Sequence, residues 1–420
     1  MKVIPRSASV ARVGLLNVYP LFYSIGGLTI RLDLLRQNLA LSLAAALIGV
    51  AAPIGLAFAL LRGAFGSSAL EAFIVGVALC STSLGTTLVV LSTATTAGGV
   101  DFAQTRVGTV LVSAAVIDDV VGLVLVSVIH RLSGITDGNG GLGWVIGRPV
   151  LASGLMGLLT PLTAKFVLGP LFRRFAQARL ARMGHVGNAL LMALVLGAFL
   201  AISGYAGASV LFGSFLAGTF LSSLPGDGTL QQGTPNFLET MERYVGGAQR
   251  LVLQPLFFAS IGFAIPFLDM WTGEIIWKGL VFSLLMALGK VLVGIVVPIS
   301  DLLSRLSGGQ KGESKMTSSW APATLLGMAM VARGEIGLLI IQIGLNETPY
   351  LSREAFMIAI WAIVLNTILG PVSVGILLKR AGQTIGDDPQ WGAQATDSST
   401  DAESVMGSRG AAGPDKTSGA

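Results

Sequence analysis

Val112-Ser-Ala-Ala-Val-Ile-Asp-Asp-Val-Val-Gly-Leu123 is the stretch that decides the fold of this chain. Two adjacent carboxylates, Asp118 and Asp119, stand inside an otherwise apolar run, 106–129. About 20 apolar residues are enough for a helix to cross the hydrocarbon core of a bilayer. A charge at mid-membrane costs about 2.5–3.5 kcal/mol on insertion scales, so residues kept there face a cavity or a partner and mark a functional site. Neighbours on a helix point about 100° apart. One carboxylate can therefore line a water-filled cavity while the other meets a neighbouring helix. A carboxylate in such a cavity can trade a proton for a metal cation. The competing reading is a purely structural polar pair.

The rest of the chain agrees with a membrane setting. Of 420 residues, 53% are hydrophobic and only 12% charged, and the mean hydropathy is +0.76. A soluble domain carries about 25% charged residues, so this chain has too few to coat a soluble surface. The composition also excludes a disordered protein. The single Cys80 excludes an internal disulfide and reads as a small hydrophobe. A pI near 9.5 invites a nucleic-acid reading. The Lys and Arg residues sit in short loops between apolar runs, however, which is a topology pattern and not a phosphate-binding stripe. No nucleic acid, no cofactor and no enzymatic reaction are expected. No cleavage site follows the basic N-terminus, Met1 to Val13.

Eleven spans are predicted, at about 13–30, 39–61, 69–92, 106–129, 143–168, 187–203, 205–223, 251–268, 275–299, 320–345 and 355–378. Loops and adjoining span ends on one side hold 15 Lys and Arg, among them Arg31, Arg36, Arg173, Arg174 and Lys379. The opposite loops and adjoining span ends hold five: Arg62, Arg131, Arg148, Lys278 and Arg353. Positive residues stay cytoplasmic, so the N-terminus is expected outside, or lumenal, and the C-terminus in the cytoplasm. Residues 381–420 carry a net charge of −4 and little apolar content. They are expected to form a disordered cytoplasmic tail.

Two stretches look alike: Pro20-Leu-Phe-Tyr-Ser-Ile-Gly-Gly-Leu-Thr-Ile30 and Pro255-Leu-Phe-Phe-Ala-Ser-Ile-Gly-Phe-Ala-Ile265. They lie seven spans apart, and an odd offset inverts the second copy. A second pair shares the offset, because both spans are interrupted by small and polar residues. These are Cys80-Ser-Thr-Ser-Leu-Gly-Thr-Thr87 and Gly327-Met-Ala-Met-Val-Ala-Arg-Gly-Glu-Ile-Gly337. Inverted repeats with broken helices in matching positions characterise secondary transporters. Four spans pair in this way, which leaves two later ones without partners and implies two helices missing before the first.

The remaining polar residues sort around the aspartates. Lys290 lies deep inside a span and needs a carboxylate, which one of the two aspartates can supply. Thr82, Ser83, Gly85 and Thr86 offer hydroxyls and freed carbonyls suited to Na⁺ or K⁺, unless they serve only helix packing. Arg333 and Glu335 flank Gly334 and are placed to neutralise half-helix dipole ends, Glu335 the positive ones. His130 and His185 read as solvated loop residues, and Gln254 and Asn366 as cross-helix hydrogen-bonding groups.

The run from Ser81-Thr-Ser-Leu-Gly-Thr-Thr87 through Ile117-Asp-Asp-Val-Val-Gly-Leu123, with Lys290 and the Arg333-Gly-Glu335 motif, resembles the monovalent cation:proton antiporter-2 family, and its fungal members most. The resemblance covers about Leu16 to Lys379. It implies an all-α polytopic membrane protein with an inverted-repeat antiporter fold and two crossed discontinuous helices, with 11 spans here against 13 in the family. Spans at 39–129 and 275–378 would form a core, and those at 13–30 and 187–268 an interface domain that makes a homodimer. The span at 143–168 would link the two. The whole exchanger domain would cover residues 1–380. By the same resemblance, Asp119 is the transient Na⁺/K⁺ and proton carrier, Asp118 pairs with Lys290, and Thr82 and Ser83 sit by the site. The substrates would be Na⁺ or K⁺ and H⁺, exchanged electrogenically. The competing readings are an inactive remnant or accessory protein of the same family, an intramembrane aspartyl protease and a passive channel. A Gly-x-Gly-Asp protease motif is absent.

Overall fold

The computed structural model describes residues 24–28, 38–83, 85, 89, 91–92, 101–132, 142–224, 236–306, 319–388 and 390–392. Among them, six helices are long and apolar enough to cross a membrane: Leu39–Ala64, Arg106–Leu132, Gly143–Phe175, Arg182–Ala206, Gly273–Leu306 and Arg353–Gly386. The main elements are α1 (Leu39–Ala57, prolonged with wider turns to Ala64), α2 (Ala69–Ala78), α3 (Arg106–Leu132), α4 (Leu142–Thr163, continuing to Ala176), α5 (Gln177–Ala206) and α6 (Val210–Ser223). They are followed by α7 (Gln254–Ala264), α8 (Gly273–Val291), α9 (Val296–Leu306), α10 (Trp320–Ala329), α11 (Glu335–Glu347) and α12 (Arg353–Gly386). Leu155, Leu194, Leu284 and Ile368 on these helices are exposed. In a bilayer that apolar exterior is in contact with lipid and carries no hydration penalty.

Two interruptions position the centre of the molecule. After α2 the chain leaves the helix at Ser81–Ser83, and between α10 and α11 it leaves it at Met330–Gly334. The breaks cross each other, with the Ser83 N–H donating to the Ala332 carbonyl at 2.9 Å. Each break thus satisfies part of the other's freed backbone, which hydrocarbon would leave unpaired. Close approach depends on missing side chains. A Cβ on Gly337 would meet the Ala78 carbonyl oxygen at 2.6 Å, and one on Gly370 of α12 would meet the Ala332 nitrogen at 2.6 Å. A third irregularity separates α8 from α9, where Leu292–Ile295 tightens into a 3₁₀ turn. Pro298 has no N–H to give the carbonyl four residues back, at Gly294, so the regular ladder cannot run through.

The structure departs from the sequence expectations in three places. Residues 169–186, expected as a loop, are helical apart from one kink at Gly184, whose φ of 60° favours glycine. His185 is accordingly no solvated loop residue, because its Nδ1 lies 3.0 Å from Thr240 Oγ1. The expected disordered tail does not begin at 381. Helix α12 runs to Gly386, and Ile385 and Trp391 are buried against the body. The apolar Leu378 and Ile385 stay on the packed face of the helix, and the indole of Trp391 bonds to buried Asp301, which short-range composition cannot register. The predicted first span, 13–30, lies outside the described residues except for a helical segment at 24–28, as does most of the half-helix expected after Ser83.

Candidate functional site

The chemistry gathers where α3, α8 and the two breaks meet. Asp118 and Lys290 are both fully buried, and the Lys290 ammonium donates to Asp118 Oδ2 at 2.5 Å. Thr82, at the first break, closes a triangle: Lys290 donates to its Oγ1 at 2.8 Å, and its hydroxyl donates to Asp118 Oδ2 at 3.0 Å. A buried ammonium is tolerated here for two reasons. It has a direct counter-charge, and it sits in the last turn of α8, where the helix dipole favours a cation. The other carboxylate oxygen, Asp118 Oδ1, is buried without a hydrogen bond.

Asp119, the next residue of α3, leaves the helix about 100° around from Asp118. It is half-buried, and its Oδ1 is a buried oxygen that accepts no hydrogen bond. The Thr82 N–H bonds to its carboxyl, and Glu335, Asp118 and Lys290 are the charged groups near it. Adjacent carboxylates thus have different surroundings, as helix geometry requires. Asp118 is locked to an ammonium, while Asp119 retains an oxygen that a proton or a metal cation can occupy.

The second break supplies the counterbalance. Arg333, 1% exposed, donates from Nη1 to the Ser81 carbonyl at 3.2 Å and from Nη2 to the Met286 carbonyl at 3.4 Å. Ser81 follows the last turn of α2, so the guanidinium sits where the negative end of that half-helix faces inward. Glu335 is the first residue of α11 and lies at its positive end, with extended Gly334 as N-cap. Thr367 of α12 donates to the Arg333 carbonyl at 3.0 Å and ties the break to the bundle.

Asp118, Asp119, Thr82, Lys290, Arg333 and Glu335 therefore converge, and Ser83 joins them through its backbone. Gly85 is described only as helical, and Thr86 lies outside the described residues. Asn366 bridges α12 to α8 through Ser283. His130 pairs with Glu347 at the far ends of α3 and α11, away from the aspartates. Two neighbours of the site carry no signal in the sequence. Gly49 of α1 abuts the Asp118–Lys290 pair, and buried Cys80 lies two residues before Thr82. Neither a glycine among 55 nor a cysteine in an apolar run stands out by type. Among the described residues no cluster of His, Cys, Asp and Glu is suited to a resident metal.

Known proteins resemble the chain over nearly its whole length. The family described as "Sodium/hydrogen exchanger, transmembrane" matches residues 15–380. A Na(+)/H(+) antiporter of Enterococcus hirae is 24% identical over 361 residues, covering 85% of this chain and 82% of that protein. The Na(+)/H(+)-K(+) antiporter GerN of Bacillus cereus is 26% identical over 353 residues, covering 83% and 78% respectively. Among solved structures, the sodium proton antiporter MjNhaP1 of Methanocaldococcus jannaschii at pH 8 overlays with a TM-score of 0.52 at 17% identity, covering 87% of this chain and 84% of that one. The overlay shows the shared antiporter fold, an all-helical multi-pass membrane architecture. A match over residues 15–380 takes in every element that builds the crossing, and on that ground the chain belongs to the sodium/hydrogen exchanger transmembrane family.

Proposed function

We propose that the protein is a secondary active antiporter that exchanges a monovalent cation, Na⁺ or K⁺, for protons across its membrane. One observation carries this reading. At the crossing of two broken helices, Asp118 is locked to Lys290 at 2.5 Å while Asp119 beside it keeps a buried oxygen without a partner. A proton or a hard cation can occupy Asp119, but not both, and competition for one carboxylate is what couples the two fluxes. Arrival of a cation also supplies Asp118 with a second positive neighbour and loosens its hold on Lys290. Hydroxyl and carbonyl oxygens at Thr82 and Ser83 complete an oxygen-lined site of the kind that suits Na⁺ and K⁺. Arg333 and Glu335 balance the half-helix ends and are not themselves ligands.

Finer features of this reading rest on the residues and on family likeness. The paired aspartates with Lys290 and Arg333-Gly-Glu335 favour the antiporter-2 branch and an electrogenic cycle moving more protons than cations. The names of the two bacterial relatives include Na⁺ in both cases and K⁺ in one. α1–α3 and α8–α12 would form the ion-carrying core, α5–α7 with the first predicted span the interface domain of a homodimer, and α4 the linker. The excess of bases on one side of the spans puts the C-terminus in the cytoplasm and the N-terminus on the outer or lumenal face.

The test is proton flux in proteoliposomes carrying a pH dye, with Na⁺ and K⁺ pulsed separately. Cation-driven flux is expected from the wild-type chain and none from Asp119→Asn, which keeps the shape of the side chain but cannot hold the charge. Full exchange by that variant overturns the assignment.

A further inference from the structure

The open side of the Asp118–Lys290 contact is closed by a residue with no side chain. Every buried residue of α1 except Pro53 is small: Ser42, Ala45, Ala46, Gly49 and Ala57. Gly49 is the one at the level of the ion pair. A Cβ there would lie 3.1 Å from Asp118 Oδ2, 3.3 Å from Asp118 Oδ1 and 3.3 Å from Lys290 Nζ. Asp118 Oδ1, which has no hydrogen-bond partner, therefore looks onto the bare backbone of α1.

We propose that Gly49 is a positioning residue for exchange: its missing side chain lets α1 press against the Asp118–Lys290 contact, excludes water from it, and so sets how readily a cation displaces the lysine. The inference rests on the reading that Asp118 releases Lys290 when a cation binds. A methyl at position 49 is nearly equidistant from both partners and closer than ordinary van der Waals contact allows. It must drive them back along different helices, Asp118 on α3 and Lys290 on α8. Opening the 2.5 Å contact to about 3.0 Å lowers the equilibrium constant for the pair about sixfold at an effective dielectric near 20. A weaker pair competes less with the incoming cation. Gly49→Ala therefore lowers the apparent KM for the cation several-fold, with a smaller change in kcat, and extends exchange toward acid pH. The charged or titratable groups around the pair are Asp119 on α3, Cys80 after α2, and Arg333 and Glu335 at the second break. All are unchanged in this variant.

Gly55 provides the control. It lies on the same helix, and a Cβ there meets nothing within 4 Å. The experiment measures cation KM, kcat and the pH profile of the full chain in proteoliposomes for wild type, Gly49→Ala and Gly55→Ala. A lowered KM and acid-extended profile in Gly49→Ala alone is the expected result, and a Gly49→Ala protein that behaves like Gly55→Ala overturns the inference. A silent wild type overturns the antiporter reading and this inference with it. An active wild type beside an unchanged Gly49→Ala overturns only the inference. If Gly49→Ala does not accumulate, Gly49→Ala/Asp118→Ala/Lys290→Met removes both arms that the methyl meets without leaving a lone buried charge. Recovered accumulation supports the steric contact, and continued failure overturns it.

Discussion

Lys290 and Asp118 each exist in the interior only because of the other. Removing one member of a buried pair leaves an uncompensated charge, which costs about 3–5 kcal/mol. Lys290→Met is expected to show that loss as a lower melting temperature in detergent. Lys290→Met/Asp118→Leu should regain most of it, because two apolar groups replace two charges. At this scale much was legible. Carboxylates and a lysine inside apolar runs stand out by type, since the membrane makes each costly. The residues alone left open which aspartate takes the lysine; only family likeness pointed to Asp118. One hundred degrees of helix rotation separates the two, and the sequence holds no coordinate for where α8 will lie. Gly49 was invisible for a related reason, because its contribution is space, and space is a property of three helices at once.

The interrupted helices show how short polar motifs become geometry. Ser81-Thr-Ser83 and Ala332-Arg-Gly-Glu335 were recognisable as breaks because small and polar residues interrupt apolar runs. That they touch was not readable, and it depends on the Ser83–Ala332 hydrogen bond and on the bare face of Gly370. A methyl on Gly370 would meet the Ala332 nitrogen at 2.6 Å, an approach that backbone atoms cannot absorb without moving. Gly370→Ala is therefore expected to push α12 off the second break and to destabilise the protein by about 1–3 kcal/mol, the range for overpacking. Cation-dependent stabilisation should weaken in parallel, since Arg333 and Glu335 move with the break. Thermal melts with and without Na⁺ check both effects. A variant that melts like the wild type would mean that the crossing has slack the close contact does not reveal.

At the scale of the whole molecule, the chain closes on itself after α12. Trp391 is buried, and its indole N–H donates to Asp301 Oδ1 at 3.0 Å. The Arg106 guanidinium lies 4.8 Å from the centre of its ring, and Ser319 donates to the other oxygen of Asp301. The carbonyls of Trp391 and Gly392 accept from the Val107 and Arg106 N–H groups, which caps the start of α3. Trp391→Ala is expected to cost about 3–5 kcal/mol. Trp391→Phe keeps an aromatic ring, loses the indole N–H bond to Asp301 and should cost about 1–3 kcal/mol. Equal losses for the two would assign the effect to the hydrogen bond and not to ring burial. A polar, acidic composition concealed this anchor, because one aromatic residue scarcely changes a forty-residue average.

The separation of Asp118 and Lys290 along the chain, 172 residues, also has a meaning in time. At about 5–20 residues per second, the ribosome adds Lys290 about 9–34 s after Asp118. Throughout that interval two carboxylates of the nascent chain have no ammonium to meet. α3 must wait either with its acids protonated in the lipid or beside an aqueous groove of the insertion machinery. Assembly of the centre is thus ordered by synthesis, and the young protein passes through a stage in which its future ion site lacks its counter-charge.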